Sequence, residues 1–164
     1  MIKYCLDANF FVQGWNKYYS PDFCSGYWDI IDSLGKSGRV FIPQEVMNEL
    51  QKKDDNLKKW LKDKNHLEHK IDLKVQNCLK EMYNADPSHK LLTNSERNRS
   101  MADPWVIAHA MAENAIVVTK EVKDTSPSSK KIKIPNVCEN MGLRWINDFQ
   151  FVEELNIQFS CFLK

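Results

Sequence analysis

The sequence predicts an α/β protein built on a mainly parallel sheet, and three observations carry that expectation. Ala115-Ile-Val-Val-Thr119 is a short run rich in β-branched residues, the composition of a parallel strand covered on both faces. Strand-like and helix-like segments alternate along much of the chain. Acidic residues recur where those segments end, and the carboxyl ends of parallel strands are where α/β proteins build their sites.

The elements follow in order. Met1 to Leu6 reads as a first strand closed by the turn formers Asp7-Ala8-Asn9. An aromatic-rich helical region starts at Phe10 and is interrupted near Ser20-Pro21; a second helix is expected from about Tyr27 to Leu34, before Gly35 and Gly38. Arg39 to Ile42 is a second strand, and Pro43 opens a helix over Gln44 to Gln51 in which Val46, Met47 and Leu50 form the apolar side and Glu45 and Glu49 share another face. From Lys52 to about Asn84, apolar residues recur at three- and four-residue steps, which predicts a helical hairpin. Its Lys52, Lys53, Lys58, Lys59, Lys62 and Lys64 read first as a solvated face. His66 and His69, three residues apart, lack the third ligand that a metal site needs.

Asp103-Pro104 has the form of a helix start, with the acid as cap and proline in the first turn. Val106, Ile107, Ala110 and Met111 share one face of that helix, and Asn114 suits its left-handed end. After the Ala115 to Thr119 strand come Glu121, a polar loop through Lys131, a candidate strand Ile132 to Ile134 with a Pro135-Asn136 turn, and a strand at Arg144 to Ile146. A helix over Asp148 to Leu155 and an apolar end, Ile157 to Leu163, complete the chain; that end reads as an edge strand or a homodimer contact.

A length of 164 residues is most simply one domain, 1–164, and 43% hydrophobic residues are enough to build its core. A net charge of +1 argues against a generally basic nucleic-acid coat and confines any basic face to one locality. The odd count of five cysteines, with no Cys-x-x-Cys pair, fits reduced thiols and a cytoplasmic protein. No apolar run approaches the roughly 20 residues of a membrane span.

Asp7 follows a strand, Glu49 or Glu45 lies on the helix after a strand, Asp103 begins a helix and Glu121 follows a strand. Taken singly, each has an ordinary role as turn former, surface residue, cap or loop acid. Together, on a parallel sheet, they would meet at one edge, where carboxylates about 4–6 Å apart need a cation between them. Oxygen-only ligands suit Mg²⁺ or Mn²⁺, and an ion with open positions is the usual platform for activating water against a phosphodiester. Thr119 and Asn9 stand beside the acids with groups able to orient a carboxylate or a water.

At these residues the chain resembles the PIN-domain ribonucleases, which include the toxins of bacterial Vap-type toxin–antitoxin pairs. The resembling motifs are Leu6-Asp7-Ala8-Asn9, Glu45-Val-Met-Asn-Glu49-Leu50, Asp103-Pro-Trp-Val-Ile-Ala-His-Ala110 and Val117-Val-Thr119-Lys-Glu121, spread over nearly the whole length. Lys133 to Cys138 marks a divergent subgroup. The resemblance implies a three-layer α/β/α fold and a Mg²⁺- or Mn²⁺-dependent endoribonuclease with a protein antitoxin. Carried over by motif, the metal ligands are Asp7, Glu49, Asp103 and Glu121, with Thr119 and Asn9 as further catalytic residues.

Two other functions compete. One is a catalytically inert PIN scaffold that binds RNA or a protein partner. The other is a phosphatase with Asp7 as nucleophile, weakened because Asn9 stands where a second aspartate would act. For the nuclease, a polyanionic substrate needs cations beside an acidic pocket, which makes Lys120, Lys123, Lys130 and Lys131 the expected RNA contacts.

Overall fold

The computed structural model describes residues 1–53, 55–93, 101–126 and 132–164. Five strands form one parallel sheet: β1 (Tyr4–Leu6), β2 (Val40–Pro43), β3 (Glu68–His69), β4 (Ile116–Val118) and β5 (Trp145–Ile146), in the order β3-β2-β1-β4-β5. Helices cover both faces, giving a three-layer α/β/α, PIN-like fold. The alternation of β1 shows why its residues are apolar throughout. Tyr4 meets Phe151 edge-on at 5.2 Å on one face. Cys5 Sγ donates to the carbonyl of Val106 on the other.

The helices are α1 (Ala8–Gln13), α2 (Pro21–Lys36), α3 (Gln44–Leu50), α4 (Asn56–Leu61), α5 (Leu73–Ala85), α6 (Asp103–Glu113), α7 (Ile134–Asn140) and α8 (Asp148–Glu154). Helix α1 runs on into a π-helical segment, Gly14–Tyr18. Phe10, Phe11, Tyr27, Trp28 and Phe151 are buried together, with Phe10 against Phe151 edge-on at 5.4 Å. On the opposite face α6 is buried along almost its whole length and α5 packs outside it. Asn114 ends α6 in the left-handed conformation, φ 50°, as expected.

Several elements depart from the sequence expectation. Helix α2 begins at Pro21, kinks at Cys24 and continues through Gly35 to Lys36. Gly35 is there for room: a Cβ on it would lie 2.1 Å from Leu67 Cδ2. The Lys52 to Asn84 region is not a two-helix hairpin, since a 3₁₀ turn (Asn65–Leu67) and edge strand β3 separate α4 from α5. His66 Nε2 bonds Asp32 at 2.7 Å, whereas His69 stacks on Phe41 at 4.2 Å, so the two histidines serve different neighbours. Ile134 and Pro135 begin α7 instead of ending a strand; proline fits the first turn of a helix, which lacks N–H acceptors there in any case. The apolar end forms no strand: Phe159 folds back in a stack on Tyr19 at 5.7 Å, leaving Phe162 and Leu163 exposed. Among the described residues no helix is long and apolar enough to cross a membrane.

Candidate active site

The chain leaves β1 for β2 and β3 on one side, then returns to place β4 and β5 on the other, so the direction of winding reverses between β1 and β4. Residues just past the carboxyl ends of these two strands therefore diverge around a crevice. Leu6 pairs with Val118, which brings Asp7 beside Thr119. A cleft of about 320 Å³ opens there, and Asp7, Asn9, Glu49, Asp103, Glu121 and Lys133 are among its lining residues.

Asp7 is 3% exposed and caps α1, its Oδ1 accepting from Ala8 N at 2.7 Å. Its Oδ2 accepts from Thr119 Oγ1 at 2.8 Å. Thr119 Oγ1 in turn accepts from Asn9 Nδ2 at 3.3 Å and from Glu121 N at 3.1 Å, and Asn9 Oδ1 accepts from Lys120 N at 2.9 Å. One hydroxyl thus ties the ends of β1 and β4 together. Burial pushes the Asp7 carboxyl up to about 7, with the charges of Glu121 and Glu49 adding to the rise and the bonds from Thr119 and Ala8 opposing it.

Glu49 reaches the cleft because Val46, Met47 and Leu50 bury the opposite side of α3. Glu45 accepts from Asn48 Nδ2 at 3.2 Å and is not among the residues lining the cleft. Asp103 is not the cap of α6: Ala102 holds that position without a side-chain bond, and Asp103 is the first helical residue, 8% exposed and facing the cleft. Glu121 Oε2 accepts from Ile134 N at 2.8 Å, so the amino end of α7 holds the last acid. The sequence expectation of a strand at Ile132 to Ile134 hid this bond.

Two further charged residues were missed. Lys133 lines the cleft, the one cation to do so among the described residues. Asp148, 2% exposed, accepts both of its bonds from Lys120 Nζ at 2.9 Å, and that ammonium also lies over the Tyr18 and Phe149 rings at 4.2 and 4.9 Å. The expected RNA contact Lys120 is therefore committed inside the protein, where it anchors the segment between Thr119 and Glu121. The signal for Asp148 in the sequence was weak, because an acid at a helix start reads as a cap. Lys123 pairs with Glu139 in an exposed position. Lys130 and Lys131 lie outside the described residues.

Four carboxylates suit a hard divalent cation in chemical type. Among the described residues, no three His, Cys, Asp or Glu side chains stand close enough to share one ion. The acids line a common cleft without forming a closed cage.

No curated protein matches the sequence significantly. Among solved structures, the crystal structure of VapBC2 from Rickettsia felis bound to a DNA fragment from their promoter contains a chain of similar fold. The TM-score is 0.51 at 24% identity, covering 90% of this chain and 98% of that one. A family model described as a domain of unknown function, DUF4411, matches residues 4–159. The chain belongs to that family.

Proposed function

We propose that the protein is a Mg²⁺- or Mn²⁺-dependent endoribonuclease and the toxin of a toxin–antitoxin pair. The observation that carries this reading is the convergence of Asp7, Glu49, Asp103 and Glu121, from four separate parts of the chain, on one cleft at the switch point of the sheet. Asp7 is central: burial beside Glu121 and Glu49 disfavours its ionised form, and a bound cation would offset that repulsion. Glu49, Asp103 and Glu121 are the other proposed ligands. The ion, when bound, would lower the pKa of a water and stabilise charge on a phosphodiester. Thr119 and Asn9 hold Asp7 and the Glu121 segment in register. A solved structure of similar fold is of VapBC2 with promoter DNA, which supports an antitoxin-type protein partner here. The five cysteines are all free, in keeping with a reducing, cytoplasmic setting.

The test is cleavage of RNA by highly purified protein with Mn²⁺ or Mg²⁺. Asp7→Asn and Asp103→Asn are expected to reduce cleavage by at least about a hundredfold, each removing a charge the ion requires, whereas Glu45→Gln retains it. Undiminished cleavage by either aspartate variant overturns the assignment.

A further inference from the structure

The lysines of the Lys52 to Lys64 segment are more than a scattered solvated face. Lys58, Lys59 and Lys62, with Gln51 and Asn65, line a groove of about 540 Å³. A second recess carries Lys52 and Lys53 beside Glu49 and Asp55, and shares Ala8, Val12 and Glu49 with the acidic cleft. In chain order a lysine path leads from Glu49 through Lys52 and Lys53 to Lys58, Lys59 and Lys62. Lys36, Lys64, Lys70, Lys120 and Lys123 each pair with an acid, but among the described residues none of these five path lysines does. Lys58 and Lys62 are four residues apart, on one side of the α4 turn.

We propose that this groove binds the phosphate backbone of single-stranded RNA whose scissile bond lies in the acidic cleft, an inference that rests on the nuclease reading for its substrate end. A cleft lined by four acids repels a polyanion, so the strand must be held by cations nearby; a positively charged groove tracking the backbone is how single strands are bound. The donors of Gln51 and Asn65 add hydrogen bonds available to sugar hydroxyls.

The test is anisotropy titration of a labelled, unstructured oligouridylate, long enough to span both recesses, against the full chain in chelator over a salt series. Lys58→Gln/Lys59→Gln/Lys62→Gln is expected to weaken binding about tenfold or more and to flatten the slope of log affinity against log salt by about 0.7 for each phosphate no longer neutralised. Lys52→Gln/Lys53→Gln should flatten it by a smaller amount. Lys74→Gln/Lys80→Gln/Lys90→Gln, which removes three charges from exposed positions elsewhere, should leave the slope unchanged. An unchanged slope in both groove variants, an equal loss in the control, or tighter binding of a duplex overturns the proposal. Because the titration contains no metal, the two readings fail separately. Lysine-dependent binding without any cleavage keeps the groove and defeats the nuclease, whereas cleavage with an unchanged slope does the reverse.

Discussion

Asp7 and His109 are buried groups whose proton uptake moves in opposite directions. The Asp7 carboxyl is pushed from 3.8 up to about 7, so the fold retains a proton that the unfolded chain has lost between those values. Its contribution to stability is complete below the unfolded value and disappears as pH rises through about 7. In chelator the protein should lose melting temperature across that interval, and Glu49→Gln should melt higher than the parent above it; thermal melts over pH check both. His109 is fully buried with no hydrogen-bond partner for either ring nitrogen among the described residues, and burial drives its pKa from 6.5 to about 4. The fold therefore holds His109 neutral where the unfolded chain would protonate it, and stability falls as pH drops through that window. His109→Leu should flatten this acid limb, and an unaltered limb would mean that His109 does not cause it. Position alone left Glu45 and Glu49 open, but that Asp7, Asp103 and Glu121 lie near one sheet edge was legible because each sits at an element end. The state of His109 and the burial of Asp148 with Lys120 were not, because they depend on packing between distant segments.

At the scale of elements, the misread boundaries were those where a neighbour outweighed local preference. Glycine after an apolar stretch reads as a helix end, yet α2 passes through Gly35, where Leu67 occupies the space a side chain would need. Gly35→Ala gains helix propensity but forces Leu67 aside, and the steric term should win by about 1–3 kcal/mol. Urea unfolding should show a lower midpoint with an unchanged slope; a higher midpoint would mean that Leu67 moves at no cost. Edge strand β3 has only two residues, Glu68 and His69, and pairs at Ile42 and Pro43. So short a strand leaves no periodic pattern to read. Pro135 pointed in two directions, turn or first helical turn, and the bond from Ile134 N to Glu121 is what the second arrangement supplies.

Across the whole molecule, the parallel sheet and its covering helices were legible from composition and alternation, but the strand order was not. That order puts the reversal of winding between β1 and β4 and so decides which strand ends share a crevice. Four acids spread from residue 7 to residue 121 then line one cleft, with a lysine path leading away from it. Whether these acids act together on a divalent ion is decided by calorimetric titration with Mn²⁺ at neutral pH. The parent should bind at millimolar or tighter affinity, Glu45→Gln should match it, and Asp7→Asn and Glu49→Gln should lose at least about tenfold. Absence of binding by the parent, or equal affinity in all four proteins, would show that they do not.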